Sequence, residues 1–291
     1  MASKPKLKLG FTDYYPTMDE FFVSALSRTF DIERNDASPD YLIFADETFG
    51  TKNLDYNPDH VTKIFFTGEN RRPWNYKCHH AISFDHLDGQ QFYRLPLYVL
   101  DNWVQIKNGV PDMTRLPMEY VCHKDRDWFC GFVASNPSGV YRNKIFHMLS
   151  EYKQVVSGGP LFNNIGEVIQ RDVKSKIDFF RQCRFSLCFE NSSWPGYVTE
   201  KITHGFIAKT IPIYWGSPTV ELDFDTDAMI SRHNFESDNK FIDHIIQVDS
   251  NPTWYNNIVN RSPMKEEHWK NWDMSRFNRW FLNNVYRGVR S

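Results

Sequence analysis

The stretch RFSLCFENSSWPGYVTEKITHGFIAKTIPIYW, residues 184–215, decides how the rest of the chain is read. Residues 184–190 form a short apolar run of strand type, 197–208 read as a helix, and 210–215 form a second strand-like run. Two such strands joined through a helix make a βαβ unit, and therefore a parallel sheet. The interruption FENSSWPGYVTEK (189–201) carries two acids, a lone glycine, a proline and a lysine. A surface loop explains its polarity, but not the crowding of aromatic and acidic residues. Open α/β sheets bind ligands beyond the carboxyl ends of their strands, which is where this loop lies. Backbone N–H groups at a helix start favour phosphate, Lys201 adds a full positive charge, and Gly196 permits close backbone approach. Glu200 suits ribose or sugar hydroxyls instead, so the loop fits a nucleotide-diphosphate sugar. Neither GxGxxG nor GxxxxGK[ST] is present, which removes the dinucleotide fingerprint and the P-loop. A plainer reading remains open. Glu200 and Lys201 also fit a solvated pair in a helix's first turn, and Arg142 either grips pyrophosphate or pairs with a surface carboxylate.

Working outward, short apolar runs alternate with helical patterns along the chain. Strands are expected at 6–11, 40–45, 63–68 and 81–84, with a helix at 17–29 whose apolar side is Phe21, Phe22, Ala25 and Leu26. A second α/β series opens at WFCGFVAS (128–135). Ser138 is the expected N-cap of a helix with Tyr141, Ile145, Met148 and Tyr152 on one face, followed by a helix near 175–183. Residues 101–126 lack periodicity and read as linker. The tail 263–291 reads as a helix docked on the body, or alternatively as a membrane-surface helix, given Arg276, Arg279, Arg287 and Arg290.

At 291 residues the chain is long for one domain and comfortable for two. A net charge of −2 provides no basic field for nucleic acid or anionic lipid. Aromatic residues make up 16%, enough that a minority are available to stack on a sugar or base beyond those in the core. Cys78, Cys122, Cys130, Cys183 and Cys188 are an odd set without paired spacing, which fits reduced thiols better than disulfides or zinc. No apolar stretch suits a signal peptide or a membrane span. A soluble, cytoplasmic protein is expected, with at most peripheral contact at the inner membrane.

CFENSSWPGYVTEKI followed by TIPIYWGSPTV resembles the signature block of the α1,3/4-fucosyltransferases, particularly the short bacterial members. FFTGEN (65–70), FDHLD (84–88), YRLPLY (93–98) and FVASNPSGVYRN (132–143) resemble further segments of that family, in its order. The resemblance implies a GT-B fold of two Rossmann-like domains facing each other across a cleft. The acceptor domain would occupy 1–120, the GDP-fucose domain 121–262 and the helical tail 263–291. It implies transfer of L-fucose from GDP-β-L-fucose, with inversion, to GlcNAc or glucose of a galactose-containing oligosaccharide or glycoconjugate (N-acetyllactosamine, lactose or a Lewis-type glycan). By position, Arg142 and Lys201 would neutralise the pyrophosphate, and Asn191, Tyr197, Val198 and Glu200 would contact the nucleotide or fucose. Glu69 would be the general base. No metal site and no cofactor are implied, a divalent cation being at most stimulatory. The Asp223–Asp227 stretch looks like paired DxD motifs but reads as solvent-exposed acids. The short linker, and a tail without heptad repeats, depart from the family and bear on acceptor choice. The alternatives are a transferase of another sugar nucleotide and a non-catalytic glycan- or nucleotide-sugar-binding protein of the same fold.

Overall fold

The computed structural model describes residues 3–116 and 119–288, and the chain divides into two compact units. The first comprises residues 1–100 and 270–291, the second residues 101–269. By this division 101–120 belongs with the second unit, and the end of the tail with the first.

In the first unit β1 (Lys6–Thr12), β2 (Asp31–Arg34), β3 (Tyr41–Phe44), β4 (Thr62–Phe66), β5 (His80–Ser83) and β6 (Phe92–Arg94) form one parallel sheet in the order β2-β1-β3-β4-β5-β6. Its central strands are buried throughout, as strands covered on both faces must be, so they read as continuous apolar runs. Helix α1 (Met18–Leu26) buries Phe21, Phe22, Ala25 and Leu26. The tail helix Met274–Trp280 and the π-turn Phe281–Val285 pack onto this unit. Phe281 is fully buried, with Phe30 at 5.6 Å and Tyr41 at 6.2 Å between ring centroids. The Tyr41 hydroxyl donates to the Gly288 carbonyl at 3.0 Å and accepts from the Arg287 N–H at 2.7 Å. The tail's aromatic face is therefore occupied within the unit, which argues against a membrane-surface helix.

Residues 101–126 are not simply linker. Helix α2 (Leu97–Lys107) runs into that stretch, starting directly after Pro96, where a proline forfeits no helical N–H bond. Two short 3₁₀ turns follow, Met113–Arg115 and His123–Asp125.

The second unit holds β7 (Trp128–Phe132), β8 (Val155–Ser157), β9 (Cys183–Phe189), β10 (Ile211–Trp215) and β11 (Ile230–Ser231), all parallel, in the order β11-β10-β9-β7-β8. Helix α3 (Val140–Tyr152) connects β7 to β8, α4 (Val173–Phe180) precedes β9, and α5 (Glu200–Ile207) joins β9 to β10. Gly139, not Ser138, is the residue before α3, and no side chain caps that end. A Cβ at Gly139 would lie 2.9 Å from the Arg142 guanidinium, so glycine is what lets that side chain fold back over the turn. Helix α5 starts later than expected because Gly196 takes a left-handed φ of 82° and turns the loop first. Because β8 and β9 lie on opposite sides of β7, the chain order reverses between β7 and β9, and the carboxyl ends of these two strands diverge. No helix among the described residues is long and apolar enough to cross a membrane.

Phe281→Ala should destabilise the first unit by about 3–5 kcal/mol, the usual cost of removing a large aromatic from a closed core. Urea unfolding checks this, and a loss below about 1 kcal/mol would mean that the tail contributes little to the core.

Candidate functional site

At the reversal point of the second sheet lies a cavity of about 200 Å³. The ends of β7 and β9 form its floor, and Arg142, Lys176, Asn191, Glu200 and Lys201 surround it. Four of the residues expected at a ligand site thus meet there: Arg142, Asn191, Glu200 and Lys201. Tyr197 and Val198 do not line the cavity; both are buried within the loop. Gly196 is also turned inward, its N–H held by the hydroxyls of Ser217 at 2.9 Å and Thr219 at 3.1 Å. It sets the turn and does not admit a ligand.

Arg142 projects from the first turn of α3. Its Nη1 donates to Asn191 Oδ1 at 3.1 Å and its Nη2 to the Asn136 carbonyl at 2.5 Å, while Nε has no partner among the described residues. Burial pulls the guanidinium below its ordinary pKa, with Glu190 working against this.

Glu190, which the sequence reading passed over, organises the loop. Its carboxylate is fully buried at the end of β9. It accepts the Thr199 N–H at 2.8 Å, the Thr199 hydroxyl, and Lys201 Nζ at 2.9 Å. Burial pushes this carboxyl upward, against the pull of Lys201. Lys201 also donates to Thr199 Oγ1 at 2.9 Å and stands 3.8 Å from Glu200. Burial opposes its charge, yet Glu190 and Glu200 raise its pKa above the ordinary lysine value. Burial alone would raise the Glu200 carboxyl too, but Lys201, Lys176 and His204 bring it down to about 2. The cavity is therefore lined by three cations and one acid, Glu200, at a helix start, with Glu190 buried against Lys201, a set suited to a polyanion that also bears hydroxyl groups.

Glu69 belongs to the first unit. It is exposed just beyond the carboxyl end of β4, and its N–H donates to Thr67 Oγ1 at 3.1 Å. The Thr67 hydroxyl in turn donates to the buried Asp46 carboxylate. The two arginines that would neutralise Glu69 are engaged elsewhere, Arg71 with Glu47 at 3.4 Å and Arg72 with Asp85 at 2.6 Å. Among the described residues the Glu69 carboxylate has no ion pair.

The DxD-like acids are not a solvent-exposed group. Asp223 and Asp225 are buried, Asp225 caps a 3₁₀ turn and pairs with Lys265 at 3.0 Å, and only Asp227 is exposed. Among the described residues no cluster of three His, Cys, Asp or Glu is arranged to hold a metal. All five cysteines are free thiols, and burial pushes Cys188, at the cavity wall, up to about 11.

Two Rossmann-like units, the second with a cationic cavity at its strand-order reversal, define an α/β protein with GT-B-like neighbours. The chain belongs to glycosyltransferase family 10, the fucosyltransferases: residues 123–280 match that family's C-terminal domain, and residues 9–101 match the Alpha-(1,3)-fucosyltransferase FucT N-terminal domain. It is 30% identical over 301 residues to the Alpha-(1,3)-fucosyltransferase FucT of Helicobacter pylori, a match covering 91% of this chain and 62% of that protein. The chain thus spans less than two thirds of this relative's length. A rat 4-galactosyl-N-acetylglucosaminide 3-alpha-L-fucosyltransferase 9 is 26% identical over 166 residues, 56% of this chain and 45% of that protein. A solved α1,3-fucosyltransferase with GDP-fucose superimposes with a TM-score of 0.79 at 26% identity, covering 100% of this chain and 95% of its own. Anabaena HepE, solved with UDP and glucose, shares the fold at a TM-score of 0.55 and 7% identity, covering 96% and 99% of the two chains.

Glu200 carries a pH signature. Its pKa in the folded chain lies below the ordinary carboxyl value, so the stability from its charge is complete above about pH 4.5 and is lost as pH falls through about 2. The stability difference between the wild type and Glu200→Gln should be largest above pH 4.5 and should shrink toward pH 3, as read by urea unfolding. A difference that does not change with pH would show that Glu200 is not held by these cations.

Proposed function

We propose that the chain transfers L-fucose from GDP-β-L-fucose, with inversion, to O3 of GlcNAc or glucose in a galactose-bearing glycan such as N-acetyllactosamine or lactose. The observation that carries this reading is the cationic cavity at the reversal point of the second sheet, in a chain of the fucosyltransferase family. The second unit takes the donor and the first takes the acceptor. Arg142 and Lys201 oppose the charge that develops on the departing diphosphate, and Asn191 holds the guanidinium in place. Glu200, ionised throughout the working pH range, accepts hydrogen bonds from ribose or fucose hydroxyls. Tyr197 and Val198, buried, anchor the loop to the body of the second unit. A single displacement needs one base and no covalent nucleophile. The acceptor O3 proton passes to the Glu69 carboxylate, O3 bonds to the anomeric carbon, and the bond from that carbon to the diphosphate oxygen breaks to release GDP. Glu69 suits this role because its carboxylate is exposed and the neighbouring arginines pair with other acids.

A panel of sugar nucleotides offered with N-acetyllactosamine and lactose, read by nucleotide release and product mass, tests the reaction. Turnover of GDP-fucose with a mass gain of one fucose is expected, and turnover of a different sugar nucleotide in its place would overturn the reading. Glu69→Gln keeps the shape and removes the base. It should lower kcat by about 10²-fold or more while GDP affinity stays within about twofold of the wild type. A variant retaining about a third of the wild-type kcat would remove Glu69 from the mechanism.

A further inference from the structure

Lys176 lines the same cavity, yet no step above uses it. It sits on α4, one turn before Phe180, whose ring centre lies 5.8 Å from its ammonium. Among the described residues it makes no hydrogen bond and no ion pair. Lys174, two residues earlier, shows what the same helix does with a solvent-facing lysine: it pairs with Asp178 at 2.7 Å.

The other two cations of the cavity are already engaged. Lys201 has Glu190 at 2.9 Å and Glu200 at 3.8 Å. Arg142 gives both terminal nitrogens to the Asn191 side chain and the Asn136 carbonyl. A diphosphate ester brings two negative charges, and a site whose lysine is balanced by two acids has little net positive charge to meet them. A half-buried cation with no paired acid is also costly to keep unless a ligand supplies the counter-charge.

We propose that Lys176 is a third donor-binding cation, its ammonium contacting the diphosphate of the nucleoside-diphosphate donor beside Arg142 and Lys201. The assignment rests on the donor reading above and adds a residue to it. Burial at the cavity wall lowers the lysine's pKa, while Glu200 works to keep it charged.

The test is equilibrium titration of the full chain with GDP and, by competition, with guanosine. Lys176→Ala should weaken GDP binding about tenfold to a hundredfold and leave guanosine within about twofold, because only GDP carries the phosphates. Lys176→Arg should recover most of the loss, and Lys174→Ala should bind GDP like the wild type. Lys176→Gln, which preserves the length of the side chain, is measured alongside in case the alanine variant folds poorly. GDP binding at wild-type strength in the folded Ala or Gln variant would overturn the assignment alone. A wild-type chain that does not bind GDP would overturn both the assignment and the donor reading.

Discussion

The buried Glu190 carboxylate is the constraint from which the second unit's loop takes its shape. Moving a carboxylate and an ammonium out of water costs several kcal/mol per ion, so such a pair persists only with close geometry and further hydrogen bonds. Here the Thr199 N–H and hydroxyl supply those bonds at one end and Lys201 supplies the charge at the other. The same contacts fix where α5 begins, since Thr199 is the residue before its first turn. The neighbouring strand accommodates the acid as well. The Glu190 N–H donates to the Trp215 carbonyl at 2.8 Å, and any Cβ on Gly216 would collide with the Glu190 side chain. Removing the acid would leave the Thr199 N–H without its acceptor and Lys201 with only the more distant Glu200 as counter-charge, which is the expensive way to break a buried pair.

Arg142 is positioned by a different means. Its charge meets neutral acceptors, and its path depends on Gly139 having no side chain. The two cations therefore differ in kind: Lys201 is held by opposite charge and Arg142 by shape. In the first unit the loop after β4 is anchored one step back from its acid. The Asp46–Thr67 pair holds the Glu69 backbone and leaves the carboxylate free to face solvent. Glu190 and Asp46 fix their loops from buried positions, whereas Asn136 and Asn191, which hold Arg142, are exposed; the groups proposed to meet substrate are not neutralised by these contacts, Lys201 excepted.

Much of this was legible in the sequence, for identifiable reasons. Strands β3, β4, β9 and β10 are buried on both faces and read as apolar runs. Strand β2 reads DIER and is mostly exposed, β6 and β8 have three residues each and β11 two; too short or too polar, they carry no periodicity to detect. The loop 189–201 stands out as a candidate ligand loop, and Arg142, Asn191, Glu200 and Lys201 line one cavity beside it. Glu190 was missed because an acid at a strand end looks like a solvated terminus, and only the fold reveals that a lysine lies across from it. Lys176 was missed because VKSKIDFF offers two lysines of equal appearance. The one available signal was spacing: Lys176 stands four residues before the buried Phe180, whereas Lys174 stands four before Asp178.

The pairing of Lys201 also resolves a difficulty that any cationic pocket faces. An empty site lined by three bare cations would be pushed apart by their repulsion and penalised by desolvation. Glu190 and Glu200 remove that penalty in advance by compensating one cation, while Asn191 and the Asn136 carbonyl satisfy another. The cost is a weaker net field for an incoming anion. What such a site keeps is preorganisation: donors already aimed, with no reorganisation needed when negative charge develops between them. Under the proposed reaction that charge appears on the leaving diphosphate, after binding. With Lys201 compensated by two acids, Arg142 and Lys176 carry the charge that no acid pairs with, and donors fixed beforehand favour the later moment, when negative charge develops.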